Sequence, residues 1–157
     1  MTTLDATIRE SNVLDSIKKY FYDSITTIEN TAVSYDKTLS TPKVQGIETD
    51  KWVTIVPGDI VIGTLSQMTV SVICCTKKDS EGFKLAQLRD KVMAYLIDTD
   101  KTDGRARISL YRSASSGAWT KVGAMVVSVQ SETARMEADD NTKFKVITIL
   151  LQWGGLC

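Results

Sequence analysis

The chain contains no histidine, so neither a Ser-His-Asp nor a Cys-His catalytic arrangement can be assembled from its side chains. What remains for chemistry is a set of acids, lysines, arginines, tyrosines and three cysteines. The segment Asp98 to Gly104, DTDKTDG, places acids at alternate positions, as a calcium loop does. An EF-hand loop closes with a bidentate glutamate six residues beyond its glycine. Here that position is Leu110, inside an apolar alternation, so a solvated turn ending at Gly104 is expected instead. The adjacent pair Asp139 and Asp140 sits in a polar stretch that offers no apolar pocket for acid–base work. Cys74 and Cys75 are neighbours in a strand-like segment, where successive side chains point to opposite faces and cannot readily bridge. With Cys157 the count is odd, and there is no CxxC spacing. A disulfide framework and a structural zinc site are therefore not expected. Arg105, Arg107 and Arg112 form a modest basic group able to touch phosphate, but Asp98, Asp100 and Asp103 lie close by, which favours a charge-balanced edge. The glycines are too scattered for a phosphate-cradling loop. No cofactor, no metal and no enzymatic activity are expected; a pocket holding a strongly shifted carboxyl would reverse that view.

The chain has 157 residues, enough for one domain, and a chain of that size buries about 70% of its unfolded surface without staples. Nineteen acidic and nineteen basic residues cancel, so no net field draws it to nucleic acid or to an anionic membrane. The apolar runs, such as Ile147 to Leu151, fall far short of the roughly 20 residues that span a bilayer. The opening MTTLDATIRES does not resemble a secretory signal.

These residues must be held by elements that the patterning outlines. A helix capped near Asp5 carries Leu14, Ile17, Phe21, Ile25 and Ile28 on one face. Its last turns are blurred by Thr26, Thr27, Thr31 and Val33, since β-branched residues weaken helices. An irregular arm at about 40–67 follows, where Trp52 to Val56 and Asp59 to Ile62 flank a Pro57-Gly58-Asp59 turn as a hairpin would. This apolar arm is either a tucked edge of the core or a surface that another chain covers. Met68 to Thr76 alternates Val70, Val72 and Cys74 against Thr69, Ser71, Ile73 and Cys75, the period of a strand. Ser80 is placed to cap a helix over residues 82–96, buried through Leu85, Leu88, Val92 and Leu96. Strands follow at Ile108 to Arg112, Ala124 to Ser131 and Lys143 to Trp153, the last two paired antiparallel. Both faces of the last strand are apolar, which places it centrally or between a helix and another subunit. The expected fold is α+β: a mixed, largely antiparallel sheet packed with two main helices, in the order α-β(arm)-β-α-β-β-β.

This order, with the segments VLDSIKKYF, TVSVIC leading into LAQLRDKVMAYL, ISLYR, GAMVVSVQ and TKFKVITILLQW, resembles the tail terminator (tail completion) proteins of tailed bacteriophages from about Ile8 to Trp153. The resemblance implies a small subunit that forms a homohexameric ring on the last ring of the tail tube protein. That ring stops tube growth and offers a surface to a head-completion or connector protein. It also implies a place in the virion at the tail–neck junction, after assembly in the host cytoplasm. DNA would pass through such a ring without sequence-specific contacts, and no membrane is involved. The subunit-interface candidates are Trp52, Ile55, Ile60 and Ile62 in the arm, with Trp119. Two other readings stay open: another neck or head-closure ring protein, and a ferredoxin-like cytoplasmic ligand-binding module with a pocket between sheet and helix.

Overall fold

A computed structural model of the chain describes residues 10–29, 31–35, 43–44, 47–48, 50–79, 81–113, 119–138 and 141–154. The Asp5 cap, Ser80, the Asp139-Asp140 pair and Cys157 lie outside the described residues. Helix α1 (Glu10–Phe21) buries Val13, Ile17 and Phe21 on the face expected. It then widens into a π-helix (Tyr22–Ile28) instead of running on as α-helix. The hydroxyls explain the widening. Ser24 Oγ donates to the Tyr20 carbonyl at 2.7 Å, Thr27 Oγ1 donates to that of Tyr22 at 3.2 Å, and Glu29 N reaches back five residues to Ser24 O. Hydroxyls that take up carbonyls of the preceding turn loosen the regular ladder. Ile25 stays buried, but the altered winding turns Ile28 outward to 66% exposure, against the expectation of a buried stripe.

The main sheet runs in the order β1 (Ala32–Tyr35), β4 (Lys51–Val61), β5 (Leu65–Thr76), β9 (Lys143–Gly154), β7 (Trp119–Glu132) and β6 (Arg107–Ser113), with β8 (Met136–Glu137) beside β9. β1 and β4 are parallel, and the other pairs are antiparallel. A separate hairpin pairs β2 (Lys43–Val44) with β3 (Ile47–Glu48). The last strand is central as expected, with β5 on one side and β7 on the other. Val53, Ile55, Val70, Val72, Cys74, Ile108, Leu110, Met125, Val127, Ile147, Ile149 and Leu151 form one continuous buried layer against the helices.

α1 does not lie simply across that layer, because it meets both edges of the sheet. Ser16 Oγ accepts from the Tyr111 N–H on β6 at 2.8 Å, and the Tyr35 hydroxyl on β1 donates to Lys18 O at 2.9 Å. The sheet is therefore curled, and α1 fills the seam between its two edge strands. On β6 this occupies the edge N–H of Tyr111, one of the groups that would invite unwanted pairing. Helix α2 (Phe83–Met93) packs over β5 and β9 at one end of the sheet, burying Leu85, Leu88 and Val92, with Leu96 buried just beyond it.

One local reading changes. The Pro57-Gly58-Asp59 segment is not the hairpin turn: β4 continues through it, and the register slips between Pro57, opposite Val70, and Ile60, opposite Met68. The extra residue forms a bulge, a position at which proline can sit within a sheet. Glycine is required there because a Cβ on Gly58 would stand 2.8 Å from the Thr69 carbonyl oxygen. The turn itself falls at residues 62–64. At the start of α2 the carboxylate of Asp79 acts as the cap, accepting from Leu85 N at 2.9 Å and from the Thr76 hydroxyl at 3.2 Å.

Candidate functional site

The arm divides into a buried root and an exposed tip. Trp52 and Ile55 have no exposed surface at all, so these two interface candidates belong to the interior of the subunit and cannot touch a second copy of the intact fold. β-Strand alternation explains it: Ile55 points into the main core, and Trp52 points to the opposite face, which is also covered. The Trp52 indole N–H finds no hydrogen-bond partner among the described residues, and such an omission costs about 1–3 kcal/mol. Ile60 is half-buried against the core, and Ile62 is 40% exposed. Trp119 starts β7, and its side chain lies outside the described residues. Two neighbours missed in the sequence complete the tip: Val61 at 54% and Leu65 at 60% exposure. The signal was present in the spacing VIGTL, but the proline-glycine pair drew the turn to the wrong place.

A second hairpin reaches toward the same end of the sheet. β9 finishes at Gly154, opposite Leu65 of β5, while β7 pairs with β9 only from Val126 onward. Residues 119–125 of β7 are thus paired with β6 alone.

Between α1, the π-helix and β6 lies a cleft of about 300 Å³, lined by Ser16, Lys19, Tyr20, Asp23, Ser24, Ile28, Tyr95, Arg107, Ser109 and Tyr111. Its charges are internally matched. Lys19 Nζ lies 2.7 Å from Asp23 and 5.7 Å from the Tyr111 ring centre, and Arg107 Nη2 lies 3.1 Å from Asp103. The Tyr20 hydroxyl donates to the Tyr95 carbonyl, and the Tyr95 hydroxyl donates to Glu29 at 2.8 Å. Burial, with Tyr95 and Asp98 adding to it, pushes Tyr20 up to about 12, so it remains a neutral donor. The cleft therefore offers aromatic and aliphatic walls more than reactive groups.

The opposite end of the sheet is tied by charge. Glu132 accepts from Arg89 Nε at 2.7 Å and Arg89 Nη2 at 2.9 Å, and Lys145 Nζ stands 2.8 Å from the same carboxylate. The Arg89 bonds, reinforced by Lys145, hold Glu132 down to about 2 despite partial burial. Burial alone would raise Asp79, but the backbone N–H groups of Leu85, Lys84 and Gly82 and the Thr76 hydroxyl outweigh it and hold its carboxyl low. Asp103 is lowered by the Arg105 N–H and the Arg107 side chain. These three displaced carboxyls all move down, toward permanent charge and away from the range of a general acid.

The other sequence candidates settle into structural roles. In the 98–104 loop, Asp98 accepts from Asp100 N at 3.0 Å and Asp103 from Arg105 N at 3.1 Å, while Gly104 takes the left-handed φ of +67° that closes the turn. Cys74 and Cys75 are free and buried, and burial pushes both thiols up to about 12. Among the described residues, no group of three or more Cys, Asp or Glu side chains is arranged to hold a metal ion. No described helix is long and apolar enough to cross a membrane.

No protein-family model matches the chain, and no curated protein does. A solved structure whose title carries only a sequence identifier is similar in fold, with a TM-score of 0.57 over 93% of this chain and 96% of the other at 10% identity. At that identity the likeness concerns the α+β fold alone.

Proposed function

We propose that this chain is a structural subunit of the tail terminator kind, assembling into a ring that ends a phage tail tube, stops its polymerisation and offers a face to a head-completion or connector protein. The observation that carries the reading is the exposed apolar tip of Val61, Ile62 and Leu65, held out on a hairpin whose root is locked in the core. Water-exposed aliphatic side chains grouped at a rigid projection mark a contact surface. The sequence resemblance supplies the class of assembly, and the reading calls for no catalytic group. Its place in a virion at the tail–neck junction follows from the same proposal, and a neck or head-closure ring would present the same kind of tip.

One observation favours a different class, a small-molecule binding module: the cleft beside α1 is at the lower limit of ligand-sized pockets. Native mass and negative-stain imaging, on the protein alone and mixed with tail tubes, separate the two. Rings, or subunits that add only to tube ends, support the terminator reading. A compact monomer or dimer that ignores tubes replaces it with the binding module.

A further inference from the structure

We propose that the cleft between α1, the π-helix and β6 receives the Val61–Ile62–Leu65 tip of a neighbouring copy, so that each subunit is joined head to tail through two different surfaces. This rests on the ring reading above and names the surfaces that build the ring.

Shape provides the first argument. The tip is a projection and the cleft a concavity of about 300 Å³, a size suited to a pair of aliphatic side chains. Val61 ends β4 and Leu65 starts β5, and none of Val61, Ile62 and Leu65 lines the cleft of its own chain. The tip thus stays outside the cleft of its own chain, and a tip that fills a cleft comes from a neighbouring copy. A contact between unlike patches repeats from subunit to subunit and closes a ring when the rotation allows.

Apolar and polar complementarity agree with it. The cleft mouth carries Ile28, turned out to 66% exposure by the π-helical winding, beside the rings of Tyr20, Tyr95 and Tyr111. From Pro57 to Gln67 the only charge is the exposed Asp59, whereas β6 carries the exposed Arg112, beside an Arg107 that already pairs with Asp103, and no acid. The strand edge adds hydrogen-bonding capacity. Ala106 O accepts from Val127 N at 3.0 Å, and antiparallel alternation then points the backbone groups of Arg107 and Ser109 away from β7, toward the cleft side.

The test uses two surface variants of the full chain, Ile62→Asp in the tip and Ile28→Asp at the cleft mouth, each checked by thermal melting for an unchanged fold. Native mass is read at high protein concentration and with tail tubes. The wild type is expected as rings and each variant alone as single subunits. An equimolar mixture holds one intact tip and one intact cleft, so it should give a two-subunit complex and nothing larger. Rings formed by either variant, or a mixture that stays monomeric, overturn the pairing of tip with cleft while leaving the ring reading in place. A wild type that forms no rings, alone or on tubes, overturns the ring reading and this inference together.

Discussion

The two ends of the curled sheet solve opposite problems. At the α2 end, exposed ends of elements are closed by matched charge: Asp79 caps the helix, and Arg89, Glu132 and Lys145 tie α2 to β7 and β9. At the other end, β4 and β5 turn with Val61, Ile62 and Leu65 facing water. Hydrophobic content alone does not distinguish them, since Trp52 and Ile55 lie in the same strand as Val61. What differs is whether the fold itself supplies the covering surface. The first end is tied together within one chain, although Phe83 of α2 still faces water, and the second leaves three aliphatic side chains grouped at one turn for something else to cover.

Substitutions that attack the closed part should have the largest effects. Ile149→Asp, on the central strand, and Trp52→Asp, in the buried root, each place a charge with no partner in a dry interior. Loss of any cooperative thermal transition in circular dichroism is expected for both. A soluble, folded Ile149→Asp protein would break the central-strand placement, and a folded Trp52→Asp protein would return that residue to the surface. Leu88→Ala, on the buried face of α2, is expected to cost about 2–5 kcal/mol, measured as a shift in the urea midpoint. A loss under about 1 kcal/mol would mean that α2 is not held by packing.

The ion pairs supply a smaller, pH-dependent effect. Glu132 sits at about 2 when folded against an ordinary 4.5, so its stabilisation is present above pH 4.5 and fades as pH falls toward 2. Linkage sets an upper bound of about 3 kcal/mol, and solvent screening of this partly buried ion pair reduces the expected amount to about 1 kcal/mol. Glu132→Gln should flatten the stability curve over that window, and a variant whose acid transition matches the wild type would remove the charge from the comparison. Smallest of all, Ile62→Asp should change stability by less than about 0.5 kcal/mol while weakening assembly. A large drop in its melting temperature would mean that the tip is core after all.

Much of this contrast was legible in advance, and the exceptions share a cause. The alternation of Val70, Val72 and Cys74, the stripe Leu85, Leu88, Val92, and the central place of the last strand followed from period and composition, which sidedness of burial imposes on any chain. The Pro57-Gly58 pair read as a turn because those residues are commonest there. Only the approach of the Thr69 carbonyl, a long-range contact, made the pair a bulge and moved the turn along. The role of Asp79 at the start of α2 was not read from the sequence, because its carboxylate reaches Leu85 N only once β5 has ended at Thr76. The expected buried stripe ended wrongly at Ile28 because serine and threonine hydroxyls changed the winding of the helix.

The sequence by itself determined the fold class, the absence of histidine chemistry and the placing of an apolar arm before β5. Those properties depend on residue type and on neighbours near in the chain. Tertiary structure decided which arm residues are interior and which face water, that α1 closes the seam between the edges of the sheet, and that a cleft opens beside β6. Each of these depends on strands distant in sequence meeting at a particular register, and a single chain read residue by residue does not specify that register.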